Sequence, residues 1–145
     1  MAADQLDDEI HALLRDADQR YTKGRRALVA ALRAGGQPMT LPQILARGEG
    51  LAQSSAYRNL VVLEDAGVVT RIVTNDEFAR YELAETLTEH HHHLICTTCG
   101  DVMDFSLSAR AETSLDRTLH RVAEEAGFQV ETHRLDLVGV CSDCA

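Results

Sequence analysis

The chain has no tryptophan, three phenylalanines and three tyrosines, so aromatics make up only 4% of its 145 residues. An apolar share of 45% still allows a buried core, made mostly of Leu, Val, Ala and Ile. No apolar run approaches the roughly 18 residues of a membrane span. The opening MAADQLDDEI is acidic and polar, which argues against a signal peptide and makes a cytoplasmic protein the expectation. There is no internal repeat, and no low-complexity tract apart from four consecutive histidines. Four cysteines are present and no fifth. No acid/base pair or nucleophile triad stands out, so no enzymatic activity is expected.

Basic charge is also scarce. Lys and Arg number 14 against 23 Asp and Glu, a formal net charge of −9. Such a sign argues against nucleic acid as a partner, but its distribution matters more than its sum. Ten of the fourteen cations fall within residues 10–82, whereas residues 83–145 hold four arginines against eleven acids. A mildly basic front part and a strongly acidic back part imply two functional halves.

Ile10, Leu13 and Leu14 stand at helical spacing behind acids that suit a helix N-terminus. Thr22 reads as the N-cap of KGRRALVAALRA, which presents Leu28, Val29, Ala31 and Leu32 and stops at Gly35-Gly36 and Pro38. Thr40 or Pro42 opens a third short helix. Ser54 or Ser55 caps a fourth, SSAYRNLVVLEDAG, which closes on Gly67. Residues 68–74 and 78–83 are β-rich and flank Asn75-Asp76, the signature of a hairpin. Short helices followed by a hairpin are the order of a winged helix-turn-helix. A small helical domain with an incidental hairpin fits the same pattern. Residues 84–89 are polar and read as a linker. HHHHLIC and DVMDF around TTCG make a second hairpin, residues 109–126 a helix stopped by Gly127, and residues 128–140 a strand.

The cysteines form two C-x-x-C pairs, Cys96/Cys99 and Cys141/Cys144. A tight turn between pair members points both sulfurs at one ion, and Zn²⁺ takes four thiolates in a tetrahedron. Gly100 permits the sharp turn after the first pair. Two disulfides are the rival, disfavoured in a reducing compartment, and a redox C-x-x-C needs only one pair. Four filled positions make such a site closed and structural.

In an extended strand His90 and His92 point one way, and His91 and His93 the other. One short strand can therefore feed two metal sites. Asp104 falls level with the histidines across the second hairpin. Glu82, Asp116 and His133 are further candidate ligands. Imidazole with carboxylate suits Zn²⁺, Fe²⁺, Mn²⁺, Co²⁺ or Ni²⁺. His11 and His120 stand alone on helices and read as surface or packing residues. A solvated linker rich in histidine is the bland alternative for the run.

Together RYTKGRRALVAAL, SSAYRNLVVLEDAGVV, ARYELAE, HHHHLICTTCGDVMDF and GFQVETHRLDLVGVCSDC resemble the ferric-uptake-regulator (Fur) family of bacterial metal-responsive regulators. The resemblance spans about residues 20–145. It implies an α+β fold: an N-terminal winged helix-turn-helix domain (1–84), a hinge (85–89) and a small α/β dimerisation domain with a zinc knuckle (90–145). It implies a homodimeric repressor of AT-rich palindromic operator DNA, gated by a divalent metal in metal homeostasis. By resemblance, Cys96, Cys99, Cys141 and Cys144 hold structural zinc, and Glu82, His91, His93 and Asp104 form the regulatory site. A second peripheral site falls on His90, His92, Asp116 and His133.

The chain departs from the family in three places. The family often adds a sensor histidine before the third helix, where this chain has GGQPMTLPQIL; either Gln37 substitutes weakly or the sensor is four-coordinate. Zinc sensors usually carry a cysteine and an aspartate at the wing, here Ala84 and Thr70. Peroxide sensors use an aspartate where this chain has Glu82. Fe²⁺ is therefore the favoured regulatory metal and Zn²⁺ the next, with Mn²⁺, Ni²⁺ or peroxide sensing behind. A metal-storage or chaperone protein, or a small zinc hydrolase, are the readings from other classes.

For DNA, Tyr57 and Arg58 sit at the start of the fourth helix, where a recognition helix meets base edges. Arg58 can grip guanine with two donors, and Tyr57 can pack on a thymine methyl. Ser54, Ser55 and Asn59 are expected on phosphates, and the resemblance implies that Arg20 and Arg25 approach the AT-rich minor groove or backbone. A solvated charged face is the alternative, stronger for Arg25 and Arg26 than for Arg58.

Overall fold

The computed structural model describes residues 2–48, 50–74 and 78–145. The elements run α1 (Ala3–Asp16), α2 (Lys23–Gly35), β1 (Met39–Thr40), α3 (Leu41–Arg47), α4 (Gln53–Asp65), β2 (Val69–Ile72), β3 (Arg80–Leu83), a 3-10 turn (Glu85–Leu87), β4 (His92–Cys96), β5 (Val102–Phe105), α5 (Ala109–Glu125) and β6 (Asp136–Gly139).

Local chemistry explains most boundaries. The Thr22 hydroxyl accepts from the Arg25 amide and starts α2, and Gly36 ends it in the left-handed region at φ 67°. Thr40 and Gln43 form a reciprocal capping box at the head of α3. Neither Ser54 nor Ser55 caps α4. Its N-cap is Ala52, with no side-chain bond, so both serines lie within the first turn. Gly67, at φ 81°, turns the chain from α4 into β2 as expected. The Asn75-Asp76 turn of the hairpin lies outside the described residues.

Two three-stranded sheets organise the molecule. In the first, β3 is central, antiparallel to both β2 and the two-residue β1. With α2, α3 and α4 it makes the winged helix. One apolar cluster joins α1 (Leu6, Ile10, Leu14) to Leu28, Leu32, Ile44, Leu60, Leu63 and Val68. Outside that cluster, α1 is held by Asp7, whose carboxylate accepts from the Tyr21 hydroxyl at 3.2 Å and pairs with Arg26 at 3.4 Å. Within the segment expected to be a polar linker, Ala84 and Leu87 are buried, while Thr86, Thr88 and Glu89 are exposed. Leu87 is 3% exposed and belongs to this first core.

In the second sheet β4 is central, antiparallel to β5 and parallel to β6, with α5 as the crossover. Only four residues of the expected 128–140 strand pair, Asp136–Gly139. This half hides little of its apolar surface: Ala123 is the only buried residue of α5, and every residue of β6 is exposed, Val138 at 65%. Val122, Phe128, Leu137 and Val140 are exposed as well. An apolar face of that kind marks an interface rather than a solvent boundary.

Leu87→Ala should lower the unfolding free energy by about 2–4 kcal/mol in a denaturant titration, because it opens a cavity in a closed core. A change within error would mean that residues 85–89 form a loose tether.

Candidate metal centres and nucleic-acid interface

The four cysteines converge because β4 and β6 run parallel. Cys96 ends β4 opposite Gly139, and the Thr97 amide donates to the Gly139 carbonyl at 2.7 Å, which brings the second pair beside the first. The Gly100 amide closes the knuckle on the Cys96 carbonyl at 2.9 Å, with Gly100 at φ 79°. All four Sγ atoms lie within 4.8 Å of one another. Cys99 and Cys141 sulfurs stand 3.8 Å apart, too far for a disulfide. A tetrahedral Zn²⁺ with bonds of about 2.3 Å would space its sulfurs by about 3.8 Å. The amides of Cys99 and Cys141 both donate to Cys96 Sγ, at 3.5 and 3.3 Å, and pull its pKa down to about 6. Beside its fellow thiols Cys144 is pushed up to about 12, chiefly by its hydrogen bond with Cys141. The cluster favours the Cys96 thiolate and resists ionisation of Cys99 and Cys144, a conflict that a divalent cation removes. The donor set fits zinc.

The histidine run divides by face. His93 stands opposite Asp104 in the β4–β5 register, level with it as expected. On that side Glu82 reaches over from β3. Its Oε1 lies 2.8 Å from His93 Nε2, and both of its oxygens lie 3.1 Å from His91 Nε2. Asp104 completes the group at 3.5 Å from His93 and 3.8 Å from His91. Burial alone would raise the Glu82 pKa, but its bonds to His93 and His91 outweigh this and lower it. His93 is raised above its ordinary value, foremost by Glu82. Asp104 is raised by burial and then by the charge of Glu82. Two carboxylates thus share two imidazoles, with ligand atoms all within 4.8 Å, a set that suits a divalent cation. Gln37 is exposed and adds nothing to the cavity that Glu82, His91 and His93 line.

On the other face His90, His92 and His133 converge, but the carboxylate among them is Glu112, not Asp116. Glu112 Oε1 lies 2.8 Å from His90 Nε2 and 2.9 Å from His133 Nε2, and its Oε2 lies 2.8 Å from His92 Nε2. Asp116 stands aside, 3.7 Å from His133 Nδ1 and half exposed. The reason is register. Phe105 pairs with His92, and α5 begins four residues later, so its first turn is level with the histidines. Asp116 is four residues farther along the helix, about 6 Å. The strand pairing was the signal that locates Glu112. Glu85 also pairs with His90 through Nδ1. The geometry leaves His120 on the surface, beside Asp116.

At the head of α4, Ser54 and Arg58 are exposed, as is Tyr57 at 54%. Ser55 is half-buried, and its hydroxyl donates to the Ala52 carbonyl at 3.2 Å. Val61, not singled out from the sequence, is exposed one turn beyond Tyr57. Arg20 is exposed. Arg25 and Asn59 face each other instead: Arg25 Nε donates to Asn59 Oδ1 at 3.0 Å.

The model of the ferric uptake regulator family matches residues 16–138. The chain belongs to that family. It is a metal-dependent transcriptional regulator, and regulators of this family bind operator DNA as dimers. Among its relatives, the ferric uptake regulation protein of Campylobacter jejuni is 31% identical over 147 residues, covering 97% of this chain and 89% of that protein. The peroxide operon regulator of Bacillus subtilis is 30% identical over 149 residues, covering all of this chain and 97% of that protein. The Vibrio cholerae ferric uptake regulator superposes with a TM-score of 0.71 at 27% identity, over 90% of this chain and 98% of that one. The Helicobacter pylori Fur structure, described with three functional metal-binding sites, gives 0.77 at 21% identity, over 99% and 94%. No helix among the described residues is long and apolar enough to cross a membrane.

Glu112→Ala should weaken Co²⁺ or Zn²⁺ binding at the His90/His92/His133 cluster by at least about tenfold in calorimetry, while Asp116→Ala changes it by less. The reverse order would return the ligand role to Asp116.

Proposed function

We propose that the chain is a homodimeric repressor in which a divalent metal on Glu82, His91, His93 and Asp104 controls operator binding. The observation that carries this is the reach of Glu82. It belongs to the central strand of the winged-helix sheet, yet its carboxylate lies against histidines of the other sheet. A cation held by all four ligands would fix one half of the molecule against the other. The packing of Leu87 supports a DNA-binding unit that extends to that residue, a hinge of only a few residues after it, and a dimerisation unit beyond. The exposed apolar face of β6 and α5 supplies the dimer contact.

Zn²⁺ on Cys96, Cys99, Cys141 and Cys144 is structural in this reading: it ties the chain end to β4 so that the neighbouring histidines keep their place. His90, His92, Glu112 and His133 hold a second metal. Fe²⁺ is favoured at the regulatory site and Zn²⁺ next, because Ala84 and Thr70 stand where zinc sensors place a cysteine and an aspartate. For DNA, α4 enters the major groove of an AT-rich palindrome with Tyr57 and Arg58 foremost. Its uncapped first turn leaves amide donors for a phosphate beside Ser54 and Ser55, and exposed Arg20 makes a further backbone contact.

Fe²⁺, Zn²⁺, Mn²⁺ and Ni²⁺ titrated into chelator-stripped, zinc-replete dimer should switch on binding to AT-rich palindromic DNA, Fe²⁺ most effectively. DNA binding indifferent to every metal would sink the proposal. His91→Ala should abolish the response with the dimer intact, whereas Cys96→Ser should lose the dimer. Arg58→Ala should cost about 1–3 kcal/mol of operator binding and relax sequence preference. The comparable similarity to the Bacillus subtilis peroxide operon regulator supports a second reading, peroxide sensing. It predicts that hydrogen peroxide releases the Fe²⁺-loaded protein from DNA and leaves the Mn²⁺-loaded protein bound.

A further inference from the structure

We propose that Arg25 and Asn59 form a strut that sets the rotation and height of α4 against α2, so that Arg25 positions the recognition helix and does not itself read DNA. The inference rests on the reading that α4 enters the groove.

Arg25 lies in the first turn of α2, where its amide donates to the capping Thr22 hydroxyl at 3.3 Å. Its guanidinium then ties α2 to two other segments, α4 and the loop before α2. Nε donates to Asn59 Oδ1 of α4 at 3.0 Å, and Nη1 donates to Gln19 Oε1 at 3.1 Å and to the Arg20 carbonyl at 2.7 Å. Of the five N–H donors of an arginine, these bonds engage three inward. What remains is a poor phosphate clamp, since a bidentate grip needs two parallel donors on one edge.

The neighbouring residue is shaped to the same end. A Cβ on Gly24 would stand 3.3 Å from Asn59 Nδ2, closer than ordinary contact, so consecutive residues of α2 both adapt to one α4 side chain. Asn59 is half-buried between them, next to exposed Arg58. The two helices otherwise meet through the apolar cluster, in which Leu28, Leu32, Ala56, Leu60 and Leu63 are buried. Apolar contact is non-directional and tolerates sliding. A charge-assisted hydrogen bond from a guanidinium tied down at two further points does not. Successive residues of a helix are turned by about 100°. Fixing Asn59 therefore fixes the direction in which Arg58 and Tyr57 leave the helix.

The test uses the full-length, zinc-replete dimer saturated with Mn²⁺. It is bound to a duplex selected by the parent protein from a randomised AT-rich pool, and to a scrambled duplex, over a range of salt. Arg25→Ala and Asn59→Ala should each cut the preference for the selected duplex on the order of tenfold, the scale of one mismatched base pair. The double variant should be no worse than the more affected single one, as expected for two ends of one interaction. The slope of log affinity against log salt should stay at the parental value in Arg25→Ala, but fall by about one in Arg20→Ala, which removes a phosphate contact. Gly24→Ala keeps every charge and every donor, and should also lower preference with the slope unchanged. It and Asn59→Ala carry the test if Arg25→Ala does not fold as a metal-binding dimer.

A slope reduced by about one in Arg25→Ala, with preference intact, would make Arg25 a phosphate contact and overturn the strut. So would additive losses in the double variant. Parental preference in Arg58→Ala would instead take α4 out of the groove, and the strut's purpose with it.

Discussion

An extended chain turns successive side chains to opposite faces, and four consecutive histidines obey that constraint here. His91 and His93 meet Glu82 and Asp104 on one side of β4, while His90 and His92 meet Glu112 and His133 on the other. The same strand ends in Cys96, the first member of the thiolate cluster. Five residues of one segment, His90 to His93 and Cys96, thus feed three clusters. Each cluster closes only because a different partner arrives: β3 for the first, α5 for the second, and the turn after β6 for the third.

Those arrivals differ in how firmly they are held. The cysteines and the peripheral cluster draw their remaining ligands from the crossover helix and from loops that follow β4 in the chain. Glu82 comes from the other sheet. It pairs with Thr70 inside the wing, so a shift of its carboxylate is a shift of β3 and of the hairpin that β3 shares with β2. Without a cation the two imidazoles already draw on Glu82, which lowers its pKa and raises that of His93. A metal held there, as proposed, would strengthen a link that the fold has drawn in outline.

At the other end of the winged helix, geometry is also set indirectly. The N-terminus of α4 has no capping side chain, and its exposed Tyr57 and Arg58 are aimed by residues that do not share their exposure. Arg25 looks from sequence like one more cation for phosphate. Its partners show that most of its donors are turned into the protein. Cation count is therefore a poor guide to which arginines of a basic half meet DNA.

The chain's own order of residues determined the helix caps at Thr22 and Thr40, the closing glycines at 36, 67 and 127, the face alternation of the histidines and the pairing of the two C-x-x-C units. All of these are set by dihedral preference and near-neighbour spacing, which act over a few residues. Tertiary structure alone decided that Leu87 belongs to the first core, that β6 pairs with β4 through four residues only, and that Glu112 rather than Asp116 meets the histidines. It also decided that Asn59 answers Arg25. Each depends on the register of one element against another far away in sequence. A single helical turn of offset, about 5.4 Å, exchanges one acid for the next and is invisible until the strands have paired.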